Sequence, residues 1–444
     1  MEVVPVTAEL QESSATTTSE RVPVAELLRR RRPGTSLESA FYTDEDVHAL
    51  DLDVVFSRQW IFAAAAAEIP EAGDYLTVDV GSSSVVVVRD DDEQVRAFHN
   101  VCRHRGSRLL EDRGFVGNIV CPYHRWTYDL EGSLLHAEAQ PPGFDKTCFS
   151  LRPVHVRDLA GLVFICLADE APEDFDAVAE LVEPHLRPYR LGEAKVAAQH
   201  DLAEQGNWKL VMENNRECYH CDGHPELITA YFPLFAYDEE DISPRLRPLY
   251  ERYQRAAADL EVVRRAQGVP MVDHRQLADR VVGFQLTHMP LDGEGRSFGA
   301  HGASLSRRLL GDVQDPVFGD LSIHLQPNSW FHVLGDHAVV FSVMPTSVST
   351  SVLRTTWLVH PDAEEGVDYD LATLRAVWDA TNEQDRALVA ATQKGVADPA
   401  YVPGPYSMVE DDVEAFVSWY VTRLREHLGP DAVPPTVPDA RSGD

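Results

Sequence analysis

Cys102-Arg103-His104, then sixteen residues, then Cys121-Pro122-Tyr123-His124: the reading of this stretch decides the reading of the chain. Each half offers one thiolate and one imidazole. Zinc accepts two sulfurs and two imidazoles as well, so a structural zinc site is the plain alternative. Zinc fingers, however, usually pair Cys with Cys and His with His along the chain. One Cys and one His from each half suits a [2Fe–2S] cluster, with both thiolates on one iron and both imidazoles on the other.

The flanking sequence has the texture of short strands. Tyr75-Leu76-Thr77-Val78, Ser84 to Arg89 and Val95-Arg96-Ala97-Phe98 are β-branched or aromatic runs, with Asp90-Asp91-Asp92 turning between the last two. Thr127 to Leu134 reads as a hairpin around Glu131-Gly132, and Leu162 to Leu167 closes the block. The expectation is a small antiparallel β domain over 65–167, with the cluster at its loop tips. Arg103, Arg105, Arg108, Arg113 and Arg125 crowd the same loops in an otherwise acidic chain, a collar fit for an acidic electron donor.

A second informative stretch runs from Asn207-Trp208-Lys209-Leu210 to His224-Pro225-Glu226-Leu227. On a helix, Glu213, Glu217, His220 and His224 share one stripe, and the two imidazoles at i and i+4 form a natural metal pair. Pro225 ends that helix near His224. Cys218 and Cys221 flank His220 and read as buried, inert thiols, a thiolate ligand being the alternative. A later helix, about Asp370 to Thr392, puts Leu371, Leu374, Trp378, Thr381, Asp385, Leu388 and Thr392 on one face. A carboxylate among apolar neighbours needs a partner or a metal, so Asp385 is the expected third ligand. Two histidines and one carboxylate make a site for a divalent metal ion with positions left open. Tyr231, Phe232, Phe235, Trp330 and Phe331 are candidate pocket aromatics. The remaining elements expected are helices at Asp44 to Trp60, Tyr250 to Arg265 and Asp411 to His427, and strands at Leu321 to Phe331 and Ala338 to Met344.

Composition narrows the function classes. With 39 basic and 72 acidic residues among 444, the net charge of −33 disfavours nucleic acid and anionic membranes as partners. No apolar run reaches the roughly 18–20 residues of a membrane span. Six cysteines in this length make no disulfide framework, and no secretory signal opens the chain, so a cytoplasmic protein is expected. The organisation read from the sequence is a disordered tail and lead-in at 1–35, including the basic run Arg29 to Arg32, read as a solvated lead-in with an interaction patch as the alternative. A helical segment at 36–64 that packs on the catalytic domain follows, then the cluster domain at 65–167, a catalytic domain at 168–430 and a disordered tail at 431–444.

Cluster loops followed by N-W-K-L-x-x-E-N and a His pair resemble the α subunits of Rieske non-haem iron oxygenases. Glu213 to Leu227, Leu291-Asp292-Gly293, Gln326 to His332, Trp357 to His360, Gly366 to Leu371, Thr381 to Asp385 and Pro403 to Ser407 resemble the glycine betaine demethylase branch, beside the proline-betaine and carnitine oxygenases. The resemblance implies an α+β chain: an antiparallel Rieske [2Fe–2S] domain and a helix-grip-like catalytic domain, an antiparallel sheet with helices. It implies cluster ligands Cys102, His104, Cys121 and His124, iron ligands His220, His224 and Asp385, and Glu217 as the acid linking His220 to His124 of the next subunit in a homotrimer. A flavin- or ferredoxin-type reductase would supply electrons, and O₂ would hydroxylate an N-methyl group of a small quaternary ammonium substrate. Glycine betaine would yield dimethylglycine and formaldehyde. Proline betaine, carnitine, choline or an aromatic ring are the alternative substrates. Three residues rather than four separate the histidines, and Glu217 stands where ring hydroxylases usually carry Asp; both departures lead away from ring chemistry.

Overall fold

Alternation along one valine-rich strand lays out the molecule. In the computed structural model, which describes residues 22–234, 242–269 and 271–432, Ser83–Arg89 pairs antiparallel with Asp74–Val80 and Val95–His99. Val86 and Val88 face a core of Phe98, Trp126, Tyr128 and the cluster cysteines, whereas Val85 and Val87 face the core that holds Trp208, Met212 and Trp378. A strand's period of two thus sends alternate valines to two different cores. Arg113–Phe115 completes this four-stranded sheet, and Ile119–Val120, Thr127–Tyr128 and Leu134–His136 form a three-stranded one beside it. Ile61–Ala65, Leu162–Cys166 and His155–Leu159 make a further sheet. Its first strand is fastened to the catalytic half, where Asn328 accepts from Phe62 N–H (2.9 Å) and donates to the Phe62 carbonyl (3.1 Å).

The catalytic half is built on a seven-stranded antiparallel sheet. Its order is Lys195–Glu204, Thr350–Val359, His337–Ser347, Ser329–Val333, Asp320–Leu325, Phe284–Met289 and Asp273–Gln276. The stretch 321–331, expected as one strand, is two, because Pro327 has no N–H for a ladder and the chain turns at Gln326–Pro327. The helices are Phe175–Leu186, Trp208–Asn215, Arg247–Ala266, Leu371–Val396 and Asp411–Leu428. Asp370 caps the fourth of these, its carboxylate accepting from Thr373 N–H at 2.8 Å.

Two expectations at the N-terminal side change. Within 1–35, Val24–Arg30 is a helix with Leu27 and Leu28 buried, and Arg31 pairs with Glu414 at 2.7 Å, so that basic run is in part structural. Residues 1–21 and 433–444 lie outside the described residues, as does Phe235. The helix expected over Asp44 to Trp60 is α-helical at Glu45–Leu50 and passes into a π turn at Asp51–Phe56. That turn delivers Asp51 into the interior, where its carboxylate accepts from Trp208 Nε1 (2.9 Å), Tyr420 Oη (2.6 Å) and Lys209 Nζ. Tyr42 Oη likewise donates to both oxygens of Glu213 (2.9 and 3.1 Å). The N-terminal segment thereby pins the helix Trp208–Asn215 from both ends.

Burial pushes the Glu213 carboxyl up to about 7 despite the Tyr42 hydrogen bonds. The native state therefore holds a proton that the unfolded chain releases near pH 4.5. Its contribution to stability is complete below that value and is lost as pH rises through about 7. Glu213→Gln removes this term, so the variant's Tm relative to the unmutated protein should climb between pH 5 and pH 8 in thermal denaturation. A difference independent of pH would contradict the assignment.

Candidate metal centres and active-site cavity

The two cluster loops are built alike. Cys102 N–H donates to the Ser107 carbonyl (2.8 Å) and Gly106 N–H to the Cys102 carbonyl (3.0 Å). Cys121 N–H donates to the Trp126 carbonyl (2.8 Å) and Arg125 N–H to the Cys121 carbonyl (3.1 Å). The fifth residue of each loop is left-handed, Gly106 at φ 77° and Arg125 at φ 59°. Both thiols are buried, while His104 and His124 open towards the surface with ring centres 4.6 Å apart. Trp126 stacks on His104 at 4.8 Å, and Tyr128 Oη reaches Cys102 Sγ at 3.5 Å. Burial pushes the Cys102 thiol up; at Cys121 burial is outweighed by hydrogen bonds, that from Tyr123 N–H foremost, and the thiol comes down. Inward thiols, outward imidazoles and amides aimed at sulfur fit a sulfide-bridged two-iron cluster.

The second group forms where the helix Trp208–Asn215 stops. His220 and His224 do not share a continuous α-helix with Glu213, as the sequence had implied. Arg216 closes the helix, and a 3₁₀ turn at Tyr219–Gly223 follows, with the Glu217 carboxylate accepting from Tyr219 N–H. The break turns Glu213 inward to Tyr42 and leaves the histidines free to converge on the helix Leu371–Val396. His220 Nε2 and His224 Nε2 lie 3.2 and 3.4 Å from Asp385 Oδ1. Glu217 Oε1 lies 2.6 Å from His220 Nδ1 and fixes that ring from behind. Burial disfavours charge on His220, but hydrogen bonds to Asp385 and Glu217 outweigh it and raise the imidazole to about 9. Two imidazole nitrogens and a carboxylate oxygen meeting at one point fit a divalent ion in place of that proton.

Cys221 lies in this group, yet its sulfur is joined to Cys218 in a disulfide, which corrects the reading of both as inert free thiols and removes Cys221 as a thiolate donor. The expected stripe on the long helix also needs revision past Asp385. Leu388 is 43% exposed and Thr392 is exposed, while Val389, Gln393 and Val396 turn inward, because the helical repeat drifts relative to fixed three- and four-residue steps. Glu383 faces solvent and pairs with Arg386 at 2.6 Å.

A cavity of about 310 Å³ opens beside the His–His–Asp group. Its walls are Tyr231, Trp378 and Thr381, the sheet face carrying Gln285, Thr287, Met289, Ser322, His324 and His332, and, from the broken helix, Asn214 to Glu217. Tyr231 is thus on the cavity, its hydroxyl donating to Asp320 Oδ2 at 2.5 Å, and the same oxygen holds His332 Nδ1 at 2.8 Å. His332 in turn stacks on Trp378 at 4.6 Å. The structure does not bring the other aromatics here. Phe331 points to the opposite face of the sheet against Phe62 and Phe164, Trp330 is buried flat on Phe341, and Phe232 packs edge-on to Tyr253. Trp378, Arg216, His324 and His332 escaped the sequence reading as cavity residues. Register alone could have found the last two: Gln285 pairs with His324 and Ser322 with His332, so all four share a face.

The arginine collar is smaller than its sequence. Arg108 pairs with Asp79 (3.3 Å) and Glu111 (3.5 Å), and Arg113 with Glu68 (3.4 Å). Arg103 donates to the Ser150 carbonyl (2.8 Å) and Arg105 lies over the Tyr123 ring (5.1 Å). Among the described residues, Arg103, Arg105 and Arg125 make no ion pair.

Residues 191–426 match the catalytic domain of ring-hydroxylating α subunits, and residues 59–156 match the Rieske [2Fe–2S] domain. The chain belongs to the Rieske ring-hydroxylating oxygenase α-subunit family. It is an oxidoreductase that carries a Rieske [2Fe–2S] cluster and mononuclear iron. Among relatives, the glycine betaine monooxygenase oxygenase subunit of Chromohalobacter salexigens is 43% identical over 93% of this chain and 91% of its own length. Its counterpart in Pseudomonas aeruginosa is 41% identical over 93% and 94%. The crystal structure of a quaternary ammonium Rieske monooxygenase in complex with L-carnitine superposes with a TM-score of 0.63 at 22% identity, covering 91% of this chain and all of that one, a likeness of fold. Among the described residues, no helix is long and apolar enough to cross a membrane.

His224→Ala and Asp385→Ala should each remove the mononuclear iron and leave the cluster, so that iron falls from about three to about two per chain while the visible spectrum persists. Retention of all the iron in both variants, read by metal analysis, would contradict this ligand set.

Proposed function

We propose that the protein is the oxygenase component of a glycine betaine monooxygenase, removing one N-methyl group as formaldehyde and leaving dimethylglycine. The observation that carries the reading is the similarity to glycine betaine monooxygenase subunits over nearly the whole chain, joined to a small cavity with an aromatic wall beside the His–His–Asp group. Cys102, His104, Cys121 and His124 hold the cluster, and His220, His224 and Asp385 hold the iron. When bound, these groups supply one-electron transfer and O₂ activation. The chain's own side chains do the rest. Tyr231 and Trp378 offer ring faces to a quaternary ammonium, an attraction that strengthens where water is excluded. Glu217 keeps His220 oriented by holding its Nδ1 side. One oxygen atom of O₂ enters an N-methyl C–H bond and the other leaves as water, with two electrons from the donor and two protons; the N-hydroxymethyl ammonium then loses its hydroxyl proton and breaks its C–N bond, the pair staying on nitrogen, to release formaldehyde and the tertiary amine.

In a homotrimer Glu217 would stand between His220 and the neighbour's copy of His124, the residues through which a bound cluster of one subunit would be linked to a bound iron of the next. Exposed apolar side chains support such contacts: Tyr123 (57%) in a cluster loop, Phe115 (68%) on an edge strand of the same domain and Tyr219 (53%) beside the iron ligands. One carnitine oxygenase structure is itself described in terms of inter-subunit electron transfer. The donor is a flavin- or ferredoxin-type reductase that docks on Arg103, Arg105 and Arg125, in the cytoplasm.

Formaldehyde release across glycine betaine, proline betaine, carnitine and choline tests the substrate. Glycine betaine should give the highest kcat/KM, and Glu217→Ala should keep both metals yet lose turnover by at least about a hundredfold. A different preferred substrate, or full activity in Glu217→Ala, would overturn the respective claim. Reduction by the donor should slow as salt rises, and Arg103→Glu with Arg105→Glu should slow it further at low salt; a rate indifferent to both changes would rule out the collar as the docking site.

A further inference from the structure

The cavity is lined by Glu217, His220 and Asp385 of the metal group and also by Arg216 and His324. Arg216 is only 2% exposed. Its Nη1 donates to Asn215 Oδ1 (2.7 Å) and its Nη2 to Gln326 Oε1 (2.9 Å) and the Ser329 carbonyl (3.5 Å), all of them uncharged acceptors. Its Nε has no partner, and it makes no ion pair among the described residues. Asp412 also lines the cavity, and Arg275 already pairs with it. Arg216 therefore carries its charge in a buried wall with no carboxylate of its own, which is unfavourable until an anion meets it. Burial accordingly pulls Arg216 down to about 9.

His324 presents a second unmet group. Its Nδ1 is buried with no hydrogen-bond partner. Burial first, then the nearby charge of Arg216, hold the imidazole neutral, so it serves as a hydrogen-bond donor and not as a second cation. Other groups on the cavity wall are already engaged or neutral: Asp412 with Arg275, His332 with Asp320, and Thr287 and Ser322 as hydroxyls.

We infer that Arg216, seconded by His324, is the anchor for the carboxylate of the substrate. The rings of Tyr231 and Trp378 on the same cavity receive the quaternary ammonium, so the zwitterion enters one way round and presents an N-methyl carbon to the iron ligands. This rests on the betaine reading above. Such an anchor would separate glycine betaine from choline, which has the same trimethylammonium head and no carboxylate.

The test is calorimetric titration of the anaerobic holoenzyme with glycine betaine and with choline, using Arg216→Gln, Arg216→Lys and His324→Leu. Cluster spectrum and iron content establish that each variant is folded. Arg216→Gln should weaken betaine by about ten- to a hundredfold, the range of a charge-assisted hydrogen bond, and choline by less than about threefold. His324→Leu should weaken betaine by about three- to tenfold, again with choline spared. Arg216→Lys keeps the charge and should fall between Arg216→Gln and the unmutated protein, so it decides the matter should Arg216→Gln fail to fold. Equal losses for both ligands, or none, in folded variants would overturn the anchor, because a merely structural role moves the two affinities together. Absence of betaine binding to the unmutated enzyme would overturn the betaine reading and the anchor with it. Normal betaine binding and formaldehyde release with unmoved variants would overturn the anchor alone.

Discussion

Everything in the catalytic half turns on one carboxylate oxygen. Asp385 Oδ1 sits within 3.4 Å of both His220 Nε2 and His224 Nε2, although the aspartate and the histidines lie some 160 residues apart in sequence. His220 and Asp385 meet there as a hydrogen-bonded pair at 3.2 Å. With a bound cation, the convergence becomes a coordination site. The helix Leu371–Val396 supplies a rigid backing for the aspartate, whereas the histidines come from an irregular turn whose position has to be imposed from outside.

What imposes it is a buried polar framework. Asp51 gathers the Trp208 indole, the Lys209 ammonium and the Tyr420 hydroxyl, and so ties the N-terminal segment and the last helix to the start of Trp208–Asn215. A buried ion pair of this kind adds little net stability compared with apolar packing, but removing one partner leaves an unmet charge, typically a loss of about 3–5 kcal/mol. Its value here lies in fixing where the helix begins. The Glu217–His220 hydrogen bond then begins two residues beyond Asn215, and the metal group inherits its placement from a site in the core.

The metal chemistry was legible because it dictates residue type and spacing together. Cys-x-His with Cys-Pro-x-His, and a histidine pair followed by a remote aspartate, are visible without a fold. The strands around the cluster were equally plain, since Asp74–Val80, Ser83–Arg89 and Val95–His99 carry β-branched runs with a turn of aspartates between. What stayed hidden depends on breaks and on register. A helical stripe drawn from Glu213 to His224 ignores the stop at Arg216, and a stripe extended to Thr392 ignores the drift of the helical repeat. The cavity wall was hidden for the same reason: His324 and His332 meet Trp378 and Arg216 only because separate strands and helices present one face each. Aromatic content alone pointed to Phe331, which the pleat sends to the other side of the sheet.

The valine strand Ser83–Arg89 has a bearing on how this enzyme can be taken apart. Its even-numbered valines, Val86 and Val88, belong to the cluster pocket, while Val85 and Val87 are part of the same apolar mass as Trp208, Met212 and Trp378. Ala97, Val163 and Ile165 cross the same border. The two redox halves therefore share an interior and are not beads on a string. An electron-transfer module excised at residues 65–167 would expose that inner face, and a chimera made by grafting a relative's module would inherit a mismatched seam unless the facing side chains travelled with it.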